Sequence, residues 1–155
     1  WQMGTAQLDL VMLAKQFETH YIDEDGTKKM PWVIHRAVFG TFERFIGVML
    51  EHTDGTLPVW LSPVQAKVLY VSDDERAYAE EVRDALHHAG ARAELDTQNA
   101  TLGKKIRAAE VLRIPVIAVI GAKEVVARTV SVRNEVKSFD DFIADTAKAA
   151  RIPTI

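Results

Sequence analysis

The chain has 155 residues, of which 48% are hydrophobic and 26% charged, a composition that suits one globular domain or two small ones. Its net charge of −3 argues against a generally basic nucleic-acid binder, and the absence of cysteine excludes a disulfide framework and a thiolate metal site. No apolar run approaches the roughly 18–20 residues that cross a bilayer, so a cytoplasmic protein without a membrane partner is the simplest expectation. Because the chain begins with Trp1, we expect it to be a segment of a longer protein.

The first part of the chain alternates strand-like and turn-like stretches. The pattern of residues 1–10 is typical of a strand. The pattern of residues 11–21 is ambiguous, and a short helix is one interpretation of it. The polar run DEDGTKK has the composition of a turn, in which Gly26 supplies a positive φ where one is needed. The β-branched and aromatic run MPWVIH predicts a buried strand over residues 30–35.

From Thr41 the hydrophobic period becomes that of a helix, which we expect to end near residues 52–55. Apolar side chains recur at i, i+3, i+4, i+7 and i+8, the spacing of one helical face. Arg44 falls on the opposite face, and we expect the packed phenylalanines behind it to fix its direction. The apolar face consists of Phe42, Phe45, Ile46, Met49 and Leu50.

A proline-containing stretch, TLPVWLSPVQ, predicts a domain boundary, with one domain over residues 1–58 and the other over residues 59–155. Beyond it, strand and helix patterns follow each other in the order β-α-β-α-β. This order predicts an α/β domain whose parallel or mixed sheet is covered by helices. The continuous apolar run IPVIAVIG has the composition of a central strand covered on both faces.

Capping residues locate the helices of this second domain. Ser72 and Glu75 predict a capping box, and Gly90 suits the left-handed residue that ends the same helix. Residues 102–113 predict a basic helix, and the alternation over residues 122–136 predicts a β-hairpin. A last helix is expected after this hairpin.

Single residues leave the function open. Arg44 is either a guanidinium that contacts a nucleotide or a solvated side chain paired with Glu43 or Glu51. His35 is either a metal ligand or a buried, hydrogen-bonded histidine. The polar side chains of Gln2, Thr5 and Gln7 suit the end of an edge strand. The basic helix over residues 102–113 is either a solvated amphipathic helix or a surface that faces RNA.

Longer strings resemble a known family. The string GTFERF at residues 40–45 resembles motif 3 of the class II aminoacyl-tRNA synthetases. The ordered series WQMGTAQLD, VIHRAVFGTFERFIGVMLEH and LPVWLSPVQ is similar to the threonyl-tRNA synthetases, and the similarity covers essentially the whole chain. The resemblance implies part of a class II catalytic domain, built on an antiparallel sheet, followed by an anticodon-binding domain with a mixed β-sheet flanked by helices.

The resemblance also implies an activity. The intact protein would be a homodimeric threonine–tRNA ligase that joins threonine to ATP as threonyl-adenylate and then transfers the acyl group to tRNA(Thr). This segment would supply motif 3 and anticodon recognition, and we expect it to be inactive alone. The alternatives are a non-catalytic tRNA- or RNA-binding module and a protein-interaction domain.

Roles in the first domain follow from the same resemblance. It implies that Gln2, Thr41 and Arg44 contact ATP, with Arg44 as the catalytic clamp on the phosphates. It places Thr5 and Gln7 beside the threonine substrate.

A zinc ion is the other group that the resemblance implies in the first domain. His35 would be one of its three protein ligands, the other two lying outside this chain, and the open position would take the amino group and hydroxyl of threonine. Zinc and Mg-ATP are therefore expected in the intact enzyme, and neither is expected on the segment alone.

In the second domain the resemblance implies four anticodon-binding residues, carried by strings that match NATLGKKIR, KEV and VR. Asn134 and Glu135 stand where many family members have basic residues, and we expect this to weaken the contribution of phosphate contacts to binding. The four anticodon-binding residues are Asn99, Arg107, Glu124 and Arg133.

Overall fold

The computed structural model describes residues 1–133 and 135–154, and the chain divides into two compact units, Trp1–Asp54 and Gly55–Ile155. Within the described residues, no helix is both long and apolar enough to cross a membrane. The first unit contains two antiparallel strand pairs, β1 with β4 and β2 with β3, and two helices. Its elements are β1 (Thr5–Asp9), α1 (Met12–Gln16), β2 (Tyr21–Ile22), β3 (Lys28–Lys29), β4 (Val33–Ala37) and α2 (Phe42–His52).

Local side-chain chemistry explains where the elements of the first unit begin. The Asp9 carboxylate accepts hydrogen bonds from the backbone N–H groups of Val11 (3.2 Å) and Leu13 (2.9 Å), which are unpaired donors at the start of α1. The turn between β2 and β3 contains Gly26 at φ 75°, as predicted. The Thr41 hydroxyl caps α2, and this helix matches its predicted range.

The prediction of a buried strand over residues 30–35 is wrong in both position and burial. The strand begins at Val33, and the side chains of Trp32 and Ile34 are 70% and 75% exposed. In the described part of the chain β4 pairs with β1 alone, and a two-stranded sheet covers little apolar surface. For the same reason the apolar face of α2 forms as predicted but contains no buried residue.

The second unit is built on a five-stranded mixed sheet of order β6-β5-β7-β8-β9. Strands β6, β5 and β7 are parallel to one another, and β8 and β9 are antiparallel, so the predicted mixed sheet is confirmed. The predicted central strand is β7, the third of the five. The elements are β5 (Ala66–Tyr70), α3 (Arg76–His88), β6 (Ala93–Leu95), α4 (Leu102–Val111), β7 (Val116–Ile120), α5 (Ala122–Ala127), β8 (Thr129–Val132), β9 (Glu135–Ser138) and α6 (Phe139–Ala150).

Helices cover both faces of this sheet. The chain leaves β5 towards β6 and later crosses back past β5 to β7, so right-handed crossovers place α3 and α4 on opposite faces. Helix α6 packs against α3 on the same side. Apolar side chains of the sheet, α3 and α6 form one core, whose members include Val68, Tyr70, Val82, Leu86, Ile120, Val130 and Phe142.

Two helix starts in the second unit are stabilised by capping glutamates. The cap at Glu75 was predicted, and the cap at Glu124 was not. Glu75 accepts hydrogen bonds from the backbone N–H (2.7 Å) and hydroxyl (2.8 Å) of Ser72, which confirms the capping box. The hairpin predicted over residues 122–136 is wrong in its first half, which is helix α5. Glu124 accepts a hydrogen bond from the Gly121 N–H at 3.0 Å and thereby starts this helix.

A buried glutamine ties the segment before the sheet to the rest of the second unit. Gln65 is fully buried, and its amide nitrogen donates to the carbonyl oxygens of Trp60 (3.4 Å) and Ala150 (3.3 Å). Its amide oxygen accepts from the Arg92 N–H at 2.8 Å. One side chain therefore connects the preceding segment, the end of α6 and the start of β6.

We expect Gln65→Leu to lower the free energy of unfolding by about 2–3 kcal/mol, because the partly buried Arg92 N–H and Ala150 carbonyl would both lose this partner. Urea unfolding followed by circular dichroism measures the change. Gln98→Leu, at an exposed position, is the control and is expected to change stability by at most about 0.5 kcal/mol. Equal stability of Gln65→Leu and the wild type would show that Gln65 does not have this role.

Candidate functional site

The N-terminal end of helix α2 brings three of the predicted site residues together. The Thr41 hydroxyl accepts a hydrogen bond from the Arg44 backbone N–H at 3.3 Å. The guanidinium Nη1 of Arg44 donates to the Gln2 carbonyl oxygen at 3.2 Å. Gly40, at φ 75°, allows the close passage of the two segments, since a Cβ there would lie 3.3 Å from the Met3 carbonyl oxygen.

Arg44 is oriented by a carbonyl group, and the prediction that packed phenylalanines fix it is wrong. The ring of Phe39 lies 5.4 Å from those of Phe42 and Phe45, and all three rings are exposed. Within the described residues, Arg44 forms no ion pair with Glu43 or Glu51 and no ring contact, so the ion-paired alternative is also wrong. The guanidinium is exposed and keeps most of its donors available to a ligand.

The charge beside Arg44 is also set by local hydrogen bonds. The backbone N–H of Glu43 and, next in importance, the hydroxyl of Thr41 stabilise the ionised Glu43 carboxylate and lower its pKa below the usual value. This carboxylate lies in the first turn of α2, where the helix dipole favours a negative charge. A positive and a negative side chain therefore stand at the same helix end.

One face of the β1–β4 pair collects the predicted threonine-binding residues and the predicted metal ligand. Gln7 lies directly opposite His35 in the antiparallel register, and Thr5 lies opposite Ala37. Directly opposed residues share a face, and so do alternate residues of one strand. Thr5, Gln7 and His35 therefore lie on the same face, whereas Arg36 lies on the other.

The described residues do not by themselves fit a zinc ion. His35 is exposed, which rules out the alternative of a buried histidine. In residues 1–133 and 135–154, no three His, Cys, Asp or Glu side chains come close enough to hold a metal ion. Because a catalytic zinc site needs three protein ligands, His35 stays a predicted ligand only.

A polar cavity lies at the carboxyl edge of the parallel strands of the second unit. It has a volume of about 370 Å³ and is open to solvent. Asn99 lies here, in the loop between β6 and α4, where the buried Asp96 carboxylate accepts a hydrogen bond from the Gln98 N–H at 2.9 Å and shapes the loop. Ligands of such sheets bind at this edge. The lining residues are Tyr70, Val71, Ser72, Asp73, Arg76, Thr97, Gln98, Asn99, Ala100 and Lys105.

Glu124 lies at the same edge, after β7, but one of its oxygens already has a structural partner. Its Oε2 atom is the acceptor for the Gly121 N–H at the start of α5. A Cβ at Gly121 would lie 3.6 Å from the Val71 side chain, so the loops after β5 and β7 adjoin. Glu124 is therefore close to the wall of the cavity and is half-buried.

The two predicted anticodon-binding arginines lie elsewhere. Arg107 is on the exposed side of α4, 3.9 Å from the Glu110 carboxylate. Arg133 follows β8, which runs antiparallel to β7, so it lies towards the amino edge of the parallel strands and lines a separate cavity of about 420 Å³. The structure thus places Asn99 and Glu124 at one edge and Arg133 at the other. Asn134 lies outside the described residues, and Glu135 begins β9.

Lys105 is a candidate site residue that the sequence analysis missed. Lys105 is 4% exposed, and its Nζ lies 3.4 Å from the Tyr70 carbonyl oxygen and 4.1 Å from the centre of the Tyr70 ring. The spacing of Lys105 from the apolar residues of α4 indicates that its side chain faces inward. Lys105 follows Leu102 by three residues and precedes Ala109 by four, which places it on the inward face of α4.

Two family models match the chain in succession. The tRNA synthetase class II core domain (G, H, P, S and T) matches residues 1–53, and the anticodon binding domain matches residues 62–141. The threonine–tRNA ligase of Chlorobium phaeovibrioides is 52% identical over 133 residues, covering 86% of this chain and 20% of the relative. That of Clostridioides difficile is 46% identical over 154 residues, covering 96% of this chain and 24% of the relative. The chain therefore spans between about a fifth and a quarter of the length of these curated relatives.

A solved structure gives the same result for the fold. The crystal structure of the RNA binding domain of threonyl-tRNA synthetase from Cryptosporidium parvum Iowa II has a TM-score of 0.77 and 36% sequence identity to this chain. The match covers 96% of this chain and 39% of that one. The resemblance to the threonyl-tRNA synthetases is thus confirmed and, because the second family match covers more than half of the residues, the chain belongs to the anticodon-binding domain family.

Proposed function

We propose that the chain is the C-terminal part of a threonine–tRNA ligase and that its second unit binds the anticodon of tRNA(Thr). The observation that carries this proposal is the order of the two family matches, a class II core segment followed by an anticodon-binding domain. The intact enzyme would activate threonine with Mg-ATP and transfer it to tRNA(Thr), as a cytoplasmic homodimer. The first unit would supply part of the active site, and the second would select the tRNA.

In the first turn of α2, Arg44 would bind the phosphates of ATP. Its guanidinium has five N–H donors, and the bond to the Gln2 carbonyl oxygen uses one of them while fixing the direction of the side chain. A positive charge positioned before the substrate arrives stabilises the charge that develops at phosphorus. Thr41 and Gln2 lie beside it and would contact the same nucleotide.

On the shared face of β1 and β4, Thr5 and Gln7 would contact threonine. His35 lies directly across from Gln7, so a ligand bound on this face reaches both side chains. His35 would contribute one ligand to the zinc ion implied by the family resemblance. Bound with its full ligand set, that ion would act as a Lewis acid and would distinguish the hydroxyl of threonine from a methyl group.

In the second unit, the four predicted anticodon-binding residues would contact different nucleotides. Protein side chains read RNA sequence at unpaired bases of loops, whose edges are accessible. Asn99 and Glu124 lie at the carboxyl edge of the sheet, whereas Arg133 lies towards the opposite edge. An anticodon loop that contacts all of them would therefore extend from one edge of the sheet towards the other, past Arg107 on the outer side of α4.

Arg133→Ala is expected to weaken binding of the tRNA(Thr) anticodon stem-loop about tenfold, because an arginine supplies paired donors to a base edge or a phosphate. Fluorescence anisotropy of the labelled stem-loop, titrated with the 155-residue chain, measures the change. Arg151→Ala, which removes an exposed arginine after α6, is the matched control and should stay within about twofold of the wild type. Unchanged affinity of Arg133→Ala would remove this residue from the interface.

A further inference from the structure

A buried ammonium group at the floor of the carboxyl-edge cavity has fewer partners than its chemistry requires. Lys105 is almost completely buried, and the one hydrogen bond that its ammonium group forms within the described residues, to the Tyr70 carbonyl oxygen, is long at 3.4 Å. An ammonium group has three donors and no acceptor. In the part of the chain that the structure describes, no carboxylate forms an ion pair with Lys105. Two of its donors therefore remain for a group that enters the cavity.

The environment of Lys105 restricts what that group can be. The Tyr70 ring, with its centre 4.1 Å from Nζ, fixes the ammonium group by a cation–π contact and gives the cavity floor an aromatic edge. Asp73 and Arg76 line the same cavity, and the Arg76 guanidinium is paired with the Glu80 carboxylate at 2.9 Å. The negative charge of Asp73 therefore disfavours a phosphate group beside it. A neutral, planar ligand with a carbonyl oxygen satisfies the ammonium group and adds no negative charge beside Asp73.

We propose that Lys105 is a specificity-determining residue that donates a hydrogen bond to the carbonyl oxygen of one unpaired nucleobase seated in this cavity. The cavity would thus select a keto base, guanine or uracil, because lysine pairs well with a base carbonyl such as O6 of guanine. Its volume of about 370 Å³ accommodates a single base. This inference rests on the proposed function, since it names the chemistry by which the anticodon-binding unit reads RNA.

Lys105→Met and altered RNA loops test the proposal together. Methionine keeps an unbranched side chain against Tyr70 and removes a buried charge, so the fold is expected to persist, which an unfolding curve checks. We expect Lys105→Met to bind the tRNA(Thr) anticodon stem-loop about tenfold more weakly than the wild type. Lys148→Met, which removes the same charge from the exposed side of α6, is the control and should stay within about twofold.

The RNA series separates base reading from a general effect. In one loop each guanine of the anticodon is replaced by 2-aminopurine, which lacks the O6 carbonyl, and in another each uracil by cytosine, which has an amino group in place of the O4 carbonyl. One of these loops should bind the wild-type chain about tenfold more weakly and should show no further loss with Lys105→Met. That wild-type comparison stands even where the variant folds poorly.

The outcomes distinguish the two proposals. If the wild-type chain does not bind the unaltered stem-loop, the proposed function fails. If it binds, but Lys105→Met binds equally well, or loses the same factor with every loop, RNA binding survives and the role of Lys105 is overturned. Equal binding of the unaltered loop and both altered loops to the wild-type chain would also overturn it.

Discussion

Replacing Arg44 by alanine in the intact threonine–tRNA ligase that we propose is expected to slow threonyl-adenylate formation about hundredfold. The guanidinium is exposed and oriented by the Gln2 carbonyl oxygen at 3.2 Å, so its charge is in place before ATP binds. Loss of one such preorganised donor typically reduces the rate by about 10²–10³. Threonine-dependent exchange of pyrophosphate into ATP measures the adenylation step directly.

Arg36→Ala is the matched control for Arg44→Ala. Arg36 is also an exposed arginine of the first unit, but it lies on the face of the β1–β4 pair opposite to His35. We expect its exchange rate to stay within about twofold of the wild type. Arg44→Lys should recover only part of the rate, because an ammonium group lacks the planar set of donors. A wild-type rate for Arg44→Ala would contradict the assigned role.

Phe142→Ala is expected to lower the free energy of unfolding of the second unit by about 3–5 kcal/mol. Phe142 is 2% exposed and lies in the core between α6 and the sheet, so truncation leaves a cavity that the surrounding strands cannot fill. Urea unfolding followed by circular dichroism gives the change from the midpoint and slope.

Val126→Ala provides the comparison for Phe142→Ala. Val126 lies on α5 and is 88% exposed, so the loss of its two methyl groups removes little buried surface. We expect a change of at most about 0.5 kcal/mol. If Phe142→Ala and Val126→Ala unfold at the same urea concentration, the described core does not stabilise the unit.

The elements that could be predicted from sequence are those with a strong local signal. The continuous apolar run of β7 and the Ser72–Glu75 capping box are found where predicted, because hydrophobic continuity and cap chemistry act over a few residues. Helix α5 was missed because its cap residue is Gly121, which has no side chain to indicate a helix start. The predicted hairpin therefore began at residue 122, whereas its first strand, β8, begins at Thr129.

Burial was predicted less well than element type in the first unit. Trp32, Ile34 and Phe42 have the apolar character of core residues, and the pattern correctly places Ile34 on a strand and Phe42 on a helix, whereas Trp32 precedes the strand. All three are exposed, because the two-stranded sheet and α2 provide no layer that covers them. An apolar pattern indicates which surface favours burial, and only the structure shows what covers it.

The candidate sites show the same division between local and long-range information. The shared face of Thr5 and Gln7 follows from the period of a strand, and the helix cap at Thr41 follows from its position before an apolar period. The separation of Arg133 from Asn99 depends on the antiparallel direction of β8, which short motifs do not reveal. Lys105 was missed because a charged residue on an inward face is uncommon.

Binding of the wild-type chain to tRNA(Thr) anticodon stem-loops with native and scrambled anticodons tests the central claim most directly. We predict that the native loop binds about a hundredfold more tightly, since each mismatched base costs about 1–3 kcal/mol when side chains read base edges. The comparison is made at one salt concentration, because phosphate contacts contribute equally to both loops. Equal affinity for the two loops would contradict anticodon recognition by this chain.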